Sequence, residues 1–164
     1  MLQRRCPRCR TTKLRFAPFQ SKVDCLLETL ALYPIRCQLC GYRFRAWLGR
    51  YCTSQRRNYE RVRVRCPAWY RSERTPEPYQ TEQGTVTNLS IRGCRIRTDR
   101  LLPIGTPVSL EFQPSQWTFP ITIDCAIVRS HPRAGLGLRF VNLLRSEERR
   151  IRHLVDLHLY DAPL

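Results

Sequence analysis

The sequence contains no apolar run approaching the ~18 consecutive residues that a membrane-spanning helix requires. Its basic first residues, MLQRRCPRCR, are not followed by the apolar core of a secretory signal. Because both features are absent, we expect neither membrane insertion nor secretion. We therefore expect a cytoplasmic protein, in a compartment where thiols stay reduced.

Catalytic motifs are also missing. The chain has three histidines, none of them in a metal-binding or nucleophile motif, and it lacks GxxxxGK[ST], HExxH and GxSxG. It offers no convincing pair of carboxylates for acid–base chemistry. We therefore expect that the protein is not an enzyme.

Lysine is scarce in a very basic chain. Of 29 Lys and Arg residues only Lys13 and Lys22 are lysines, and with 13 acidic residues the net charge is +16. The excess is concentrated in residues 1–54, which carry +9. This charge favours a polyanionic partner, and arginine in particular favours planar, bidentate acceptors such as phosphates and guanine edges.

Three blocks are visible in the 164 residues. Residues 1–50 hold two cysteine pairs around a helix-like stretch, Lys22 to Leu32, whose apolar stripe is Cys25, Leu26 and Leu30. Residues 51–60 are polar and predict a linker. Residues 61–164 predict a β-rich block that ends in a helix.

Six short segments of the last block alternate apolar and polar residues, which is typical of half-buried strands. They cover residues 62–70, 85–89, 94–98, 108–113, 121–129 and 136–141. No helix separates them, so they predict an antiparallel sandwich or barrel. The final helix has Ser146 as its predicted N-cap and an apolar stripe of Ile151, Leu154, Val155 and Leu159.

Four of the nine cysteines form two CxxC pairs, which supply the four soft ligands of a tetrahedral zinc site. The predicted ligands are Cys6, Cys9, Cys37 and Cys40. With no histidine or carboxylate among them, the metal is predicted to be structural. Gly41 follows the second pair and permits positive φ, whereas Arg10 holds the equivalent place after the first pair and is less suited to it.

The remaining cysteines are predicted to be small buried hydrophobic residues. They are Cys25, Cys52, Cys66, Cys94 and Cys125. The first block also resembles short bacterial zinc-ribbon modules, since residues 33–44 read YPIRCQLCGYRF. That resemblance implies a zinc ribbon but does not indicate a partner.

Residues 55–159 resemble the PilZ domain, the bacterial receptor module for cyclic di-GMP. The motif Arg57-x-x-x-Arg61 precedes the first strand, and Asn88-x-Ser90-x-x-Gly93 lies between the next two strands. The segment GLGLRF at 135–140 is similar to the last strand of the family. The resemblance implies a mainly β protein with a six-stranded antiparallel barrel and a C-terminal helix.

The resemblance also implies a cyclic di-GMP site. Its residues are Arg57, Arg61, Asn88, Ser90 and Gly93, with Arg56 as an accessory candidate. Many family members have Asp in place of Asn88. A carboxylate accepts from both guanine N1–H and N2–H, whereas the amide offers one acceptor group and a competing NH₂.

We expect a two-module regulator with an as yet unidentified protein partner. Two alternatives stay open. In the first, the basic ribbon binds nucleic acid through its charge and its aromatic residues Phe16, Phe19, Tyr42, Phe44 and Trp47. In the second, the barrel no longer binds nucleotide and acts as a protein-interaction adaptor.

Overall fold

The computed structural model describes residues 5–47, 58–72, 81–116, 118–132 and 135–159. These residues form two compact units: one comprises the described residues up to Glu60 together with Leu159, and the other runs from Arg61 to His158. We call them the ribbon unit and the barrel unit. Within the described residues, no helix is long and apolar enough to cross a membrane.

The ribbon unit is a three-stranded antiparallel sheet with one short helix. Its strands, in the sheet order β1-β2-β3, are β1 (Leu14–Phe16), β2 (Leu32–Cys37) and β3 (Arg43–Trp47). The helix α1 (Lys22–Glu28) lies between β1 and β2 in the chain. Its small core combines Leu14, Ile35 and Ala46 with three of the paired cysteines, so the cysteine cluster is part of the hydrophobic core.

Helix α1 differs from the prediction in length and in orientation. It ends at Glu28, and the chain reverses at Ala31, whose φ is 57°. The predicted apolar stripe faces solvent: Leu26 is 67% exposed, Leu30 is 62% exposed, and Cys25 is also exposed. The expected burial of Cys25 is therefore wrong.

The face of α1 that packs against the sheet is determined by ion pairs and not by apolar contacts. Asp24 is the buried residue of the helix. Its carboxylate accepts from the Gln20 backbone N–H at 2.9 Å and contacts Arg43 at 2.6 Å and Arg45 at 3.0 Å, both on β3. A fully buried carboxylate requires such partners, so Asp24 fixes which face of α1 meets the sheet.

The barrel unit is a closed six-stranded antiparallel barrel, which confirms the predicted mainly β fold. Its order around the barrel is β4-β5-β6-β9-β8-β7. The strands are β4 (Val62–Ser72), β5 (Glu82–Ser90), β6 (Gly93–Arg97), β7 (Pro107–Phe112), β8 (Ile121–Ser130) and β9 (Leu136–Asn142). Closure leaves the barrel without the open sheet edges through which strands of different molecules pair.

Every second residue of the strands points into the barrel, and these inward side chains are mostly apolar. Val86, Ile96, Phe112, Ile123 and Leu136 are among the side chains that are fully buried. Cys66 and Cys94 are buried as predicted, Cys125 is half-buried, and Cys52 lies outside the described residues.

The helix α2 (Arg145–His158) completes the barrel unit and packs against β8, β4 and β5. It buries Ile151 and Val155, in agreement with its predicted stripe. It begins one residue before the predicted N-cap, Ser146. Two glutamates lie in its first turn, where the positive end of the helix dipole favours them.

Candidate functional site

The four paired cysteines meet at one point of the ribbon unit. Their Sγ atoms all lie within 4.8 Å of one another. Cys6 Sγ is 3.6 Å from Cys40 Sγ, and Cys9 Sγ is 3.5 Å from Cys37 Sγ. A tetrahedral zinc with Zn–S bonds of about 2.3 Å separates its sulfurs by about 3.8 Å, so the arrangement fits one such ion.

The two CxxC turns have the same backbone geometry. Arg10 N–H donates to the Cys6 carbonyl at 2.8 Å, and Gly41 N–H donates to the Cys37 carbonyl at 3.1 Å. The two donors have similar positive φ angles, 60° for Arg10 and 72° for Gly41. The first turn therefore forces a non-glycine residue into the left-handed region, which is unfavourable for a residue with a Cβ.

The thiols occupy different electrostatic environments. Burial raises the pKa of Cys37 and of Cys40. Burial acts in the same direction on Cys6, but the backbone N–H groups of Cys9 and Arg8 outweigh it and lower the pKa of Cys6. Metal binding by such thiols displaces protons, so the affinity of this cluster for zinc falls as the pH falls.

The predicted Asn-x-Ser-x-x-Gly motif forms the turn between β5 and β6. The Ser90 hydroxyl donates to the Gly93 carbonyl at 3.1 Å, and Ser90 pairs with Gly93 across the turn. A Cβ at Gly93 would lie 2.2 Å from the Leu138 carbonyl oxygen on β9. Gly93 is thus required because the β9 backbone approaches too closely to admit a side chain.

Strand register places Asn88 and Gly93 of the motif on the outer face of the barrel, whereas Ser90 is buried within the turn. Residues directly opposite in antiparallel strands share a face. A row across β4, β5, β6 and β9 is buried, and it consists of Val62, Leu89, Cys94 and Leu138. The rows on either side of it therefore face outward.

Two outward rows carry the motif. The first contains Arg63, Asn88, Arg95 and Gly137. The second contains Ser90, Gly93 and Arg139. Arginines thus lie around two glycines that leave the surface without side chains, and we call this surface the arginine face.

Arg61 lies at the edge of the arginine face. It is exposed and directly precedes Val62, which pairs with Leu89. Since Ser90 follows Leu89 in the antiparallel partner strand, Arg61 lies at the end of β5 that carries the Ser90–Gly93 turn. The structure therefore brings Arg61, Asn88, Ser90 and Gly93 together, whereas Arg56 and Arg57 lie outside the described residues.

Sequence reasoning alone did not identify Arg95 and Arg139 as neighbours of Asn88 and Gly93. Arg63 is one of the polar residues that alternate with apolar ones in the predicted strand at 62–70. The alternation of β4 did predict that Arg63 is exposed, but which residue lies opposite depends on bulges near Arg63 and Asn88. Register shifts of this kind carry no reliable local signal.

The aromatic residues of the ribbon unit divide between core and surface. Phe16 and Phe44 pack against the core, and Phe16 makes an edge contact with Tyr33 at 5.8 Å between ring centroids. Tyr42 is 42% exposed and Trp47 is 61% exposed. This distribution does not specifically support nucleic-acid binding, because two of the proposed stacking residues form the core.

A family comparison assigns most of the barrel unit. Residues 55–157 match the sequence profile described as the PilZ domain. No curated protein matches the chain closely enough to count as a relative.

Solved structures agree at the level of fold. Escherichia coli YcgR in complex with c-di-GMP is 16% identical, with a TM-score of 0.51, over 88% of this chain and 72% of that chain. The PilZ domain of YcgR with c-di-GMP is 17% identical, with a TM-score of 0.50, over 63% and 92%. The motility inhibitor MotI/DgrA of Bacillus subtilis is 15% identical, with a TM-score of 0.51, over 75% and 62%.

Proposed function

The chain belongs to the PilZ domain family, and from this premise we propose that it is a receptor for cyclic di-GMP that binds its ligand on the arginine face. The proposed ligand residues are Arg57, Arg61, Asn88, Ser90 and Gly93, with Arg56 as an accessory. The observation that carries the proposal is the register. It sets Asn88 between Arg63 and Arg95 on one outward row, beside the Ser90–Gly93 turn.

The chemistry of this face suits the ligand. Cyclic di-GMP presents two phosphates and two guanines, and both groups accept bidentate hydrogen bonds from a guanidinium. The Asn88 amide offers its carbonyl to guanine N1–H or N2–H.

Ser90 has a supporting part in this proposal. Its hydroxyl donates to Gly93 within the turn, and its side chain is largely buried. A hydroxyl that donates one hydrogen bond keeps lone pairs for accepting others. We assign to Ser90 the shaping of the turn, and to Arg61 and Asn88 the direct recognition.

We further propose that the four cysteines hold one structural zinc ion. Cys6, Cys9, Cys37 and Cys40 supply a complete set of thiolate ligands and leave no position for substrate. The ion would replace the missing hydrophobic bulk of a unit whose core is small. The protein is then a receptor with a metal-stabilised accessory module.

The proposed function is tested by calorimetric titration with cyclic di-GMP, with GMP as the control ligand, at two salt concentrations. A receptor binds cyclic di-GMP with saturable heat and prefers it over GMP at both salt concentrations. Equal binding of the two nucleotides that disappears at high salt indicates generic attraction to a basic surface. No binding of either leaves the adaptor as the function.

A further inference from the structure

The second CxxC turn holds a glutamine that reaches the arginine motif. Gln38 lies between Cys37 and Cys40, and it is only 3% exposed. Its side-chain oxygen accepts from the Glu60 backbone N–H at 2.6 Å, and its side-chain nitrogen donates to the Arg36 carbonyl at 3.0 Å. A buried amide in these two bonds is a specific, geometrically defined contact.

Two further residue pairs, Arg36 with Tyr59 and Arg15 with Glu60, hold the same segment. Arg36 Nη1 donates to the Tyr59 hydroxyl at 3.3 Å, and its guanidinium carbon lies 5.4 Å from the centroid of the Tyr59 ring. Arg15 Nε lies 3.4 Å from Glu60 Oε1. We call these five residues, Arg15, Arg36, Gln38, Tyr59 and Glu60, the latch.

The latch holds the interior of the Arg57-x-x-x-Arg61 motif. Tyr59 and Glu60 are two of the three residues between the motif arginines, and Glu60 is bonded directly to Arg61. All five latch residues belong to the ribbon unit. Tyr59 and Glu60, which directly precede Arg61, are thus held by the turn that carries two of the proposed zinc ligands.

We propose that the latch couples the zinc site to the nucleotide site, with Gln38 as a positioning residue for the arginine motif. This rests on the proposed function. When the second CxxC turn is folded around its metal, Gln38 is in place and the 58–60 segment is held. When the metal is removed, the turn loosens and the segment loses its anchor.

The direction of the coupling follows from conformational entropy. In the proposed coupling, the held conformation of residues 58–60 is the one that binds ligand, so the segment loses less freedom on binding and the latch increases nucleotide affinity. Coupling between two binding equilibria is reciprocal. Cyclic di-GMP must therefore increase zinc affinity by the same factor by which zinc increases nucleotide affinity.

The first test compares Gln38→Leu with Gln20→Leu in the zinc-loaded full chain. Gln38→Leu removes the latch acceptor but keeps a side chain of similar size. Gln20 is exposed in the same unit, and it donates to Asp24 through its backbone N–H. Gln38→Leu should weaken cyclic di-GMP binding by roughly three- to tenfold, as expected for one or two neutral hydrogen bonds, and Gln20→Leu should not.

A second variant tests whether the effect of Gln38→Leu comes from the loss of the latch or from misfolding. Tyr59→Leu removes the ring that contacts Arg36 without changing charge, and it leaves the Gln38 turn intact. It should weaken nucleotide binding in the same direction. Hydrogen exchange at the Glu60 amide reports the latch without any nucleotide. That amide should be protected in the wild type and in Gln20→Leu, and should exchange faster in Gln38→Leu.

The reciprocal test measures zinc affinity by competition with a chelator, with and without saturating cyclic di-GMP. The latch predicts tighter zinc in the presence of nucleotide. Equal zinc affinity in both conditions, or equal nucleotide affinity of wild type and Gln38→Leu, overturns the coupling while the receptor function stands. A wild type that does not bind cyclic di-GMP overturns the receptor function and the coupling together, and the exchange measurement still reports whether the latch forms.

Discussion

At the scale of single residues, Asp24 shows how one charge decides the packing of an element. The Gln20 backbone N–H lowers the pKa of Asp24 most, burial opposes this, and Arg43 and Arg45 lower it further, to about 2. The ordinary pKa is 3.8. Because the folded pKa lies below the unfolded one, the carboxylate stabilises the ribbon unit above pH ~4, and this stabilisation is lost as the pH falls toward 2.

We predict that Asp24→Asn lowers the free energy of unfolding of the ribbon unit by about 2 kcal/mol at pH 7. The loss should be constant between pH 8 and pH 6, since both pKa values lie far below that window. Chemical denaturation of the zinc-loaded protein at several pH values measures it. A destabilisation that changes with pH within this window contradicts the assignment of the charge to the folded carboxylate.

Residue-scale reasoning from sequence succeeded where local sterics decide. Gly41 has the positive φ that its place after the second cysteine pair permits. It failed at Asp24, because a charged residue on a helix normally faces solvent. The partners Arg43 and Arg45 are about twenty positions away, and no periodic pattern connects them.

At the scale of elements, the two CxxC turns are equivalent in geometry but not in sequence. Gly41 adopts its positive φ without steric cost, while Arg10 adopts the same conformation with a Cβ. The position also places a cationic side chain near a cluster that carries −2 when four thiolates bind Zn²⁺. At Arg10 the backbone strain therefore destabilises the zinc-loaded turn, while the positive charge stabilises it.

We predict that Arg10→Gly stabilises the zinc-loaded ribbon unit relative to Arg10→Ala by about 1 kcal/mol. Both variants remove the charge, and only the glycine relieves the backbone. Thermal or denaturant unfolding of the two variants measures the difference. If Arg10→Ala is as stable as Arg10→Gly, the positive φ at this turn does not affect the free energy of unfolding.

Elements were predictable to different degrees. The six barrel strands were found because each shows clear alternation, and their observed bounds differ from the predicted ones by a few residues. The ribbon strands β1 to β3 are short and rich in arginine, so they show no usable alternation. The latch was invisible as well, because Gln38 and Glu60 are 22 positions apart and pair through a side chain and a backbone group.

At the scale of the whole molecule, the two units are stabilised by different interactions. The barrel unit has a closed sheet and a continuous apolar interior. The ribbon unit has a small core in which cysteines replace aliphatic residues. A core of that size typically needs a metal to remain folded, whereas a closed barrel of about a hundred residues does not.

We predict that Cys37→Ser loses zinc and unfolds the ribbon unit while the barrel unit remains folded. Cys25→Ser is the matched control, since Cys25 is an exposed cysteine outside the cluster. Elemental analysis and NMR spectra of the two variants measure both effects. One zinc per chain is expected for the wild type and for Cys25→Ser. Absence of zinc from freshly purified, reduced wild type contradicts the metal site.

The central claim, a cyclic di-GMP site on the arginine face, is tested most directly by calorimetry on the wild type, Arg61→Ala and Arg71→Ala at one salt concentration. Arg71 is exposed near the far end of β4, roughly 30 Å from Arg61 along the chain. Arg61→Ala should weaken binding by about ten- to hundredfold, the loss expected for one bidentate charged contact, and Arg71→Ala should leave it nearly unchanged. A wild type without affinity at high micromolar nucleotide, or equal losses in the two variants, contradicts the claim.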